Sequence, residues 1–120
     1  MTVWYLTADL MFSSRVVSYA ERAGHSVVMA PSPTMLADRL KQSSGESPTL
    51  VIVDLTLPGL QVEQVVPDLR AAAPTAKLLA YGPHVYTEQL AAAQAAGCDI
   101  VMTNGQFDRS MAELLRPDAG

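Results

Sequence analysis

The sequence predicts an α/β domain with three layers, in which helices cover both faces of a parallel β-sheet. Five short apolar runs of strand length alternate along the chain with five segments of helical period. The runs are apolar without interruption, which is typical of strands covered on both faces. Regular alternation of strands and helices indicates a parallel sheet with right-handed crossovers.

The predicted strands are rich in β-branched and aromatic residues, which favour extended structure. They span residues 3–6, 26–30, 50–53, 77–81 and 99–102. The third is the clearest, because Leu-Val-Ile-Val runs directly into Asp54 and a Leu-Pro-Gly turn follows.

The predicted helices span residues 10–23, 33–43, 60–72, 84–96 and 106–115. Gly24 and Gly97 follow the first and fourth helices, as expected of C-terminal stops. Pro33 suits the first turn of the second helix. Pro67 lies inside the third, where proline removes a hydrogen bond, so we expect this helix to be kinked or to start late.

We expect one domain over residues 1–120, with a polar loop at 42–48 and a frayed tail at 116–120. The net charge is −4 with scattered basic residues, which argues against a nucleic-acid surface. One cysteine, Cys98, excludes an intrachain disulfide and a multi-thiolate metal site. No apolar run approaches the roughly 18 residues of a membrane span, and no secretory signal stands out, so we expect a cytoplasmic protein.

Ligand sites in open parallel sheets lie beyond the carboxyl ends of the strands. This rule selects residues 7–9, 54–59, 81–84 and 103–106 as candidates. The glycine-rich nucleotide-binding motifs and the nucleophile elbow of hydrolases are absent from the sequence. His25 and His84 are expected in surface loops, Cys98 as a small buried thiol and Trp4 in the core, with an indole N–H that needs a partner.

The stretch VIVDLTLPG (residues 51–59), together with this order of elements, resembles the receiver domains of two-component response regulators. AAAQAAGCDIVM (residues 91–102) is similar to the fourth helix and fifth strand of the same family. The resemblance covers about residues 2–115 and implies a flavodoxin-like fold, a three-layer sandwich with strand order 2-1-3-4-5 and about five helices.

The resemblance also implies a function for the strand-three carboxylate. In the family, this aspartate accepts a phosphoryl group from a histidine kinase. An acidic pair after strand one holds Mg²⁺, a Ser or Thr follows strand four, a Lys follows strand five, and an aromatic residue within strand five reports the switch. Asp54 occupies the phospho-acceptor position.

Most of the supporting positions differ in this chain. The acidic pair falls on Thr7 and Ala8, and Asp9 comes one position later. The Ser/Thr position falls on Gly82 and the Lys position on Asn104, which Gly105 follows in place of the usual Pro. The switch aromatic falls on Val101.

Phosphoryl transfer depends on positioning and charge neutralisation, so these losses predict a degenerate receiver. We expect it to act through protein–protein interaction, without a cofactor and without enzymatic activity beyond self-phosphorylation or dephosphorylation at Asp54. The alternative is a working phosphoreceiver in which Asp9 and Asp54 share Mg²⁺. A flavodoxin-like enzyme or cofactor binder is a third hypothesis, with little motif support.

Two residues keep two interpretations each. Asp9 is either the N-cap of the first helix or a metal ligand. Asp54 is either a phospho-acceptor or a structural acceptor, with Thr7, Asn104 and backbone amides as its donors. The expected partners are a histidine kinase or a separate output protein. A homodimer through the face of helix four, strand five and helix five is a further prediction.

Overall fold

The computed structural model describes residues 1–42 and 47–117. In this part of the chain, strands and helices alternate along the sequence. The strands are β1 (Thr2–Leu6), β2 (Ser26–Ala30), β3 (Leu50–Asp54), β4 (Lys77–Gly82) and β5 (Ile100–Thr103). The helices are α1 (Leu10–Arg22), α2 (Pro33–Lys41), α3 (Val62–Ala72), α4 (Thr87–Ala96) and α5 (Asn104–Leu114).

The strands form one parallel sheet in the order β2-β1-β3-β4-β5. The predicted flavodoxin-like fold class is therefore confirmed. In the register of the sheet, Asp54 lies beside Tyr81, and Gly82 lies beside Thr103. The carboxyl ends of β3, β4 and β5 consequently form one edge of the sheet.

Two apolar clusters cover the two faces of the sheet, because successive side chains of a strand point to opposite faces. One face packs against α1 and α5 and includes Val3, Tyr5, Val16, Ile52, Tyr81, Phe107 and Met111. The other packs against α2, α3 and α4 and includes Trp4, Leu36, Val51, Val53, Val66, Leu69 and Ala93. This alternation explains why each strand is apolar throughout.

Three helices begin at positions other than those predicted from the sequence. The helix α4 begins three residues later than predicted, at Thr87. The helix α3 begins two residues after the start of its predicted segment, at Val62, which agrees with the expected late start, and Pro67 lies inside it. The helix α5 begins two residues earlier than predicted, so the candidate segment 103–106 consists of the end of β5 and the first turn of α5. The cause is a capping box: Thr103 Oγ1 accepts from the amide of Gln106 at 3.2 Å, and Gln106 Oε1 accepts from the amide of Thr103 at 2.9 Å.

The expectation that His25 occupies a surface loop is wrong. His25 is buried, and its Nε2 lies 2.8 Å from the carbonyl oxygen of Arg116. Because a carbonyl only accepts, Nε2 donates this bond and ties the loop after α1 to the segment after α5. His84 is exposed, as predicted.

Two sequence-based predictions fall partly outside the described residues. These are the polar loop at 42–48, of which 43–46 are not described, and the frayed tail at 116–120, of which 118–120 are not described. Within 1–42 and 47–117, no helix has the length and apolar character needed to cross a membrane.

Candidate functional site at the carboxyl edge of the sheet

Asp54 ends β3 and is buried, with 2% of its surface exposed. Strand alternation places its side chain on the face covered by α1 and α5. Both carboxylate oxygens accept hydrogen bonds. Thr7 Oγ1 donates to Oδ2 at 2.7 Å, and Thr56 donates to Oδ1 through its hydroxyl at 2.6 Å and its amide at 2.9 Å. The buried charge is therefore matched by three donors, as burial of a carboxylate requires.

Thr56 lies in the candidate segment 54–59, but its role as a donor to Asp54 was not predicted. Asn104 is not among the donors that the described residues supply to Asp54. The expectation that Asn104 serves as a donor is therefore wrong. A signal for Thr56 was present in the sequence. An aspartate side chain that accepts from the amide two residues later forms an Asx turn, and Asp54-Leu55-Thr56 has the required spacing.

Thr7 stands where the resemblance places the first acidic residue of a metal-binding pair. Its hydroxyl donates to Asp54 and also accepts from the amide of Asp9 at 3.0 Å. A hydroxyl carries one donor and two acceptor lone pairs, so both bonds form at once. Thr7 thus joins the start of α1 to the end of β3.

Asp9 is the N-cap of α1. Its Oδ1 accepts from the amides of Met11 at 2.8 Å and Phe12 at 3.3 Å, both of which lack partners inside the helix. Ala8, at the second position of the expected acidic pair, is exposed and offers no side-chain oxygen.

The fold family implies Mg²⁺ beside the strand-three aspartate, but the residues present fit that ion poorly. Mg²⁺ prefers oxygen ligands in near-octahedral geometry, usually from one or two carboxylates and waters. Thr7 and Ala8 replace the two carboxylates of the expected acidic pair, and Oδ1 of Asp9 caps α1. Asp54 is therefore the carboxylate that remains at the expected positions, and both of its oxygens accept hydrogen bonds. Within 1–42 and 47–117, no group of three or more His, Cys, Asp or Glu side chains is placed to hold a metal ion.

Gly82, at the expected Ser/Thr position, is buried at the end of β4. A Cβ added there would lie 3.2 Å from Leu55 Cβ, closer than ordinary van der Waals contact. Leu55 Cβ is fixed to the backbone of the turn after β3, so it has little freedom to withdraw. The buried Leu55 side chain thus takes the space where a Ser or Thr side chain would begin.

Asn104, at the expected Lys position, is the first residue of α5. Its Oδ1 is buried and has no hydrogen-bond partner among the residues that the structure describes. Val101, at the expected aromatic position, pairs with Ala80 and packs partly against the cluster beneath α2, α3 and α4.

Aromatic residues fill the α1/α5 side of the site, and of these only Tyr81 lies in a segment selected from the sequence. Tyr81 stacks on Phe107 with ring centroids 4.0 Å apart, and Phe12 meets the Tyr81 ring edge-on at 5.4 Å. The hydroxyls of Tyr5 and Tyr81 are hydrogen-bonded to each other. Burial raises the pKa of both phenols well above the ordinary value, and the nearby charge of Asp54 raises it further. Both phenols therefore stay neutral at any physiological pH.

Searches of family models and of curated proteins found no match to this sequence. Solved structures do match in fold. A phosphorylated cyanobacterial phytochrome response regulator, RcpA, superposes with a TM-score of 0.76 at 11% identity, covering 94% of this chain and 89% of its own. The chemotaxis response regulator CheY4 of Vibrio cholerae gives 0.74 at 14% identity, covering 95% and 94%.

A third structure is a response regulator protein from Burkholderia pseudomallei that carries a phosphorylated aspartic acid, a calcium ion and citrate. It gives a TM-score of 0.71 at 18% identity, covering 94% of this chain and 69% of its own. Identities this low establish architecture and leave the chemistry of the site to the residues themselves. Sheet order, helix placement and these superpositions together identify the fold of this chain as that of response regulator receiver domains.

Proposed function

We propose that this chain is a receiver-fold signalling domain that acts by binding other proteins, and that Asp54 is a structural acceptor instead of a phospho-acceptor. The observation that carries the proposal is the state of the Asp54 carboxylate. It is 2% exposed, and its two oxygens receive three hydrogen bonds from Thr7 and Thr56. To attack phosphorus, a carboxylate oxygen must become accessible, and these bonds hold the carboxylate in its buried position.

The surroundings of Asp54 add to this argument. A phosphoryl group would bring a charge of roughly −1.5 to −2 beside a buried carboxylate site. The expected Lys position holds Asn104, and the guanidinium of Arg15 nearby in α1 is paired with Asp108 of α5. Without a positioned cation or metal, the transition state loses most of its electrostatic stabilisation.

The alternative function is phospho-acceptance with Asp9 and Asp54 sharing Mg²⁺. Oδ1 of Asp9 caps α1, so Oδ2 of Asp9 would have to turn toward the ion, and Oδ2 of Asp54 would bind it beside the bond from Thr7. A working site of this kind would therefore show a Mg²⁺-dependent change at the start of α1.

A direct test is beryllofluoride, which mimics a phosphoryl group on aspartate when Mg²⁺ is present. The amide resonances of Thr7, Asp54 and Thr56 are recorded by NMR during a titration with beryllofluoride and Mg²⁺. The proposal predicts no saturable change at these amides. Saturable shifts that vanish in the Asp54→Asn variant would establish the alternative instead.

Exposed apolar residues at the same edge favour a protein partner. Leu10 and Met11 begin α1 with 82% and 80% of their surfaces exposed, and Val85, in the loop after β4, is 68% exposed. Large apolar side chains that remain exposed beside a candidate site are typical of protein contact surfaces. We propose that a kinase-like or output protein contacts this edge.

The face of α4, β5 and α5 is the proposed homodimer surface. β5 is an edge strand of the sheet, as β2 is at the other side, and the residues of β5 are half-buried. A shallow groove between α4 and α5 is lined by Leu90, Ala91, Val101 and Met102, among others. Light scattering with size exclusion should show a dimer that Ala91→Glu disrupts, while Ala71→Glu on α3, an equally exposed alanine, leaves it intact. A monomer for the unsubstituted chain would refute the dimer.

A further inference from the structure

A crevice between α2 and α3, on the face of the sheet opposite Asp54, has the features of a small-molecule site. Its volume is about 230 Å³. Its apolar lining includes Trp4 from β1, Leu36 and Leu40 from α2, and Val65 and Leu69 from α3. The helix α2 packs mainly on β2, whereas α3 packs mainly on α4, so the two helices leave a gap between them.

Trp4 supplies the second observation. Its side chain is 6% exposed, and its Nε1–H is buried without a hydrogen-bond partner among the residues that the structure describes. A buried indole N–H is normally satisfied, because leaving such a donor without a partner forfeits the bond it made with water. The indole with the unmet donor is the one that lines the crevice.

The charge around the crevice indicates which class of ligand it would bind. Asp68 lies on the α3 side of the same crevice, and the chain as a whole carries a net charge of −4. Both features disfavour an anion. An apolar lining with one unpaired N–H donor best fits an apolar molecule that carries one neutral hydrogen-bond acceptor.

We propose that the α2–α3 crevice binds a small, neutral, apolar molecule through a carbonyl oxygen that accepts from Trp4 Nε1–H. Binding requires a slight separation of α2 from α3, because the N–H is covered in the unbound protein. The weak packing between the two helices permits this movement. The site is separate from Asp54, so the inference holds whether or not Asp54 accepts phosphate.

The chain has one tryptophan, so its indole gives one side-chain resonance that reports on the proposed bond. We would titrate the full chain with acetophenone and, separately, with ethylbenzene, a molecule of matching shape that lacks the carbonyl. Acetophenone should move the indole proton downfield and bind about fivefold more tightly, the factor expected of one net hydrogen bond.

Three variants make the test specific. Trp4→Phe should still bind both probes but lose the preference for acetophenone, as followed at amides of α2 and α3. Ala72→Phe should fill the crevice and abolish binding of both probes. Ala71 is exposed and does not line the crevice, so the Ala71→Phe variant should bind both probes as the parent does.

Several results would overturn the proposal. One is the absence of saturable shifts with either probe up to the solubility limit of ethylbenzene. Equal affinity for the two probes would show that Trp4 Nε1–H forms no hydrogen bond that favours acetophenone. Undiminished binding in Ala72→Phe would place the probes elsewhere on the protein.

Discussion

The hydroxyl of Thr7 donates a hydrogen bond of 2.7 Å to Oδ2 of Asp54, joining the loop after β1 to the end of β3. Thr7 stands where a receiver of the usual kind carries an acidic residue. The exchange of a carboxylate for a hydroxyl changes the local chemistry from cation binding to internal hydrogen bonding. An aspartate here would repel Asp54 unless a cation lay between them, whereas threonine stabilises Asp54 directly.

Thr7→Val removes this donor while keeping the shape of the side chain. The variant should lose about 1–3 kcal/mol of unfolding free energy, because a buried carboxylate oxygen is left without its partner. Urea denaturation measures the change. Thr7→Ser keeps the hydroxyl and should recover most of the loss. A Thr7→Val protein as stable as the parent would show that the bond contributes little.

Substitutions at two glycines should have opposite effects. Gly82→Ala brings a Cβ to 3.2 Å from Leu55 Cβ in the core and should destabilise by about 1–3 kcal/mol. In Gly105→Ala, the added Cβ would contact only the flexible end of the Arg109 side chain, at 3.4 Å. Because Gly105 lies in the first turn of α5, where alanine favours the helix, this substitution should stabilise the fold by up to about 1 kcal/mol. Thermal unfolding of both variants gives the comparison. Equal shifts of the two would contradict the account of the Gly82 site.

Alkaline pH should destabilise the fold through Tyr5 and Tyr81. Their pKa values in the folded protein lie above the unfolded value of about 10, so the unfolded state loses protons first as the pH rises. The stabilisation that the two neutral phenols give the folded state is therefore fully present below about pH 10. Above that pH, the unfolding free energy falls by up to about 1.4 kcal/mol per pH unit for each tyrosine.

The measurement is the unfolding free energy from pH 8 to pH 11, a window set by the ordinary tyrosine pKa of about 10. Tyr5→Phe/Tyr81→Phe should flatten the decline above pH 10. The matched control is Tyr19→Phe/Tyr86→Phe, which removes two half-buried phenols and should leave the steep decline in place. The same slope in parent and Tyr5→Phe/Tyr81→Phe proteins would be inconsistent with this assignment.

Asp9 offers a test that separates its two roles. Asp9→Ala should cost about 1 kcal/mol through loss of the N-cap, while Asp9→Ser retains a capping oxygen and should cost only a few tenths. Calorimetry gives both values. If Asp9 instead held Mg²⁺, then Mg²⁺ would raise the unfolding temperature of the parent and have no such effect on Asp9→Ser.

The sequence predicted the architecture well because its signals are local. Uninterrupted apolar runs identify strands covered on both faces, and the run ending at Asp54 indicates the edge where the site lies. The alternation of strands and helices predicted a parallel sheet, and the receiver resemblance supplied the strand order that the structure confirms.

The site was harder to predict because its contacts depend on register. Tyr5 and Tyr81 are distant in sequence, so nothing local reveals that their hydroxyls meet. The bond from Thr7 to Asp54 was expected because both residues lie at strand ends on one edge of the sheet. The role of Thr56 was readable from the Asx-turn spacing. The early start of α5 was readable from Thr103 and Gln106, whose spacing is that of a capping box.

The central claim is that Asp54 is held as a structural acceptor, and phosphoryl transfer tests it most directly. The protein is incubated with acetyl phosphate and Mg²⁺, and its intact mass is measured over time beside that of Asp54→Asn. The account predicts that neither protein gains the mass of a phosphoryl group. A Mg²⁺-dependent gain in the parent that is absent from Asp54→Asn would contradict the account and establish Asp54 as a phospho-acceptor.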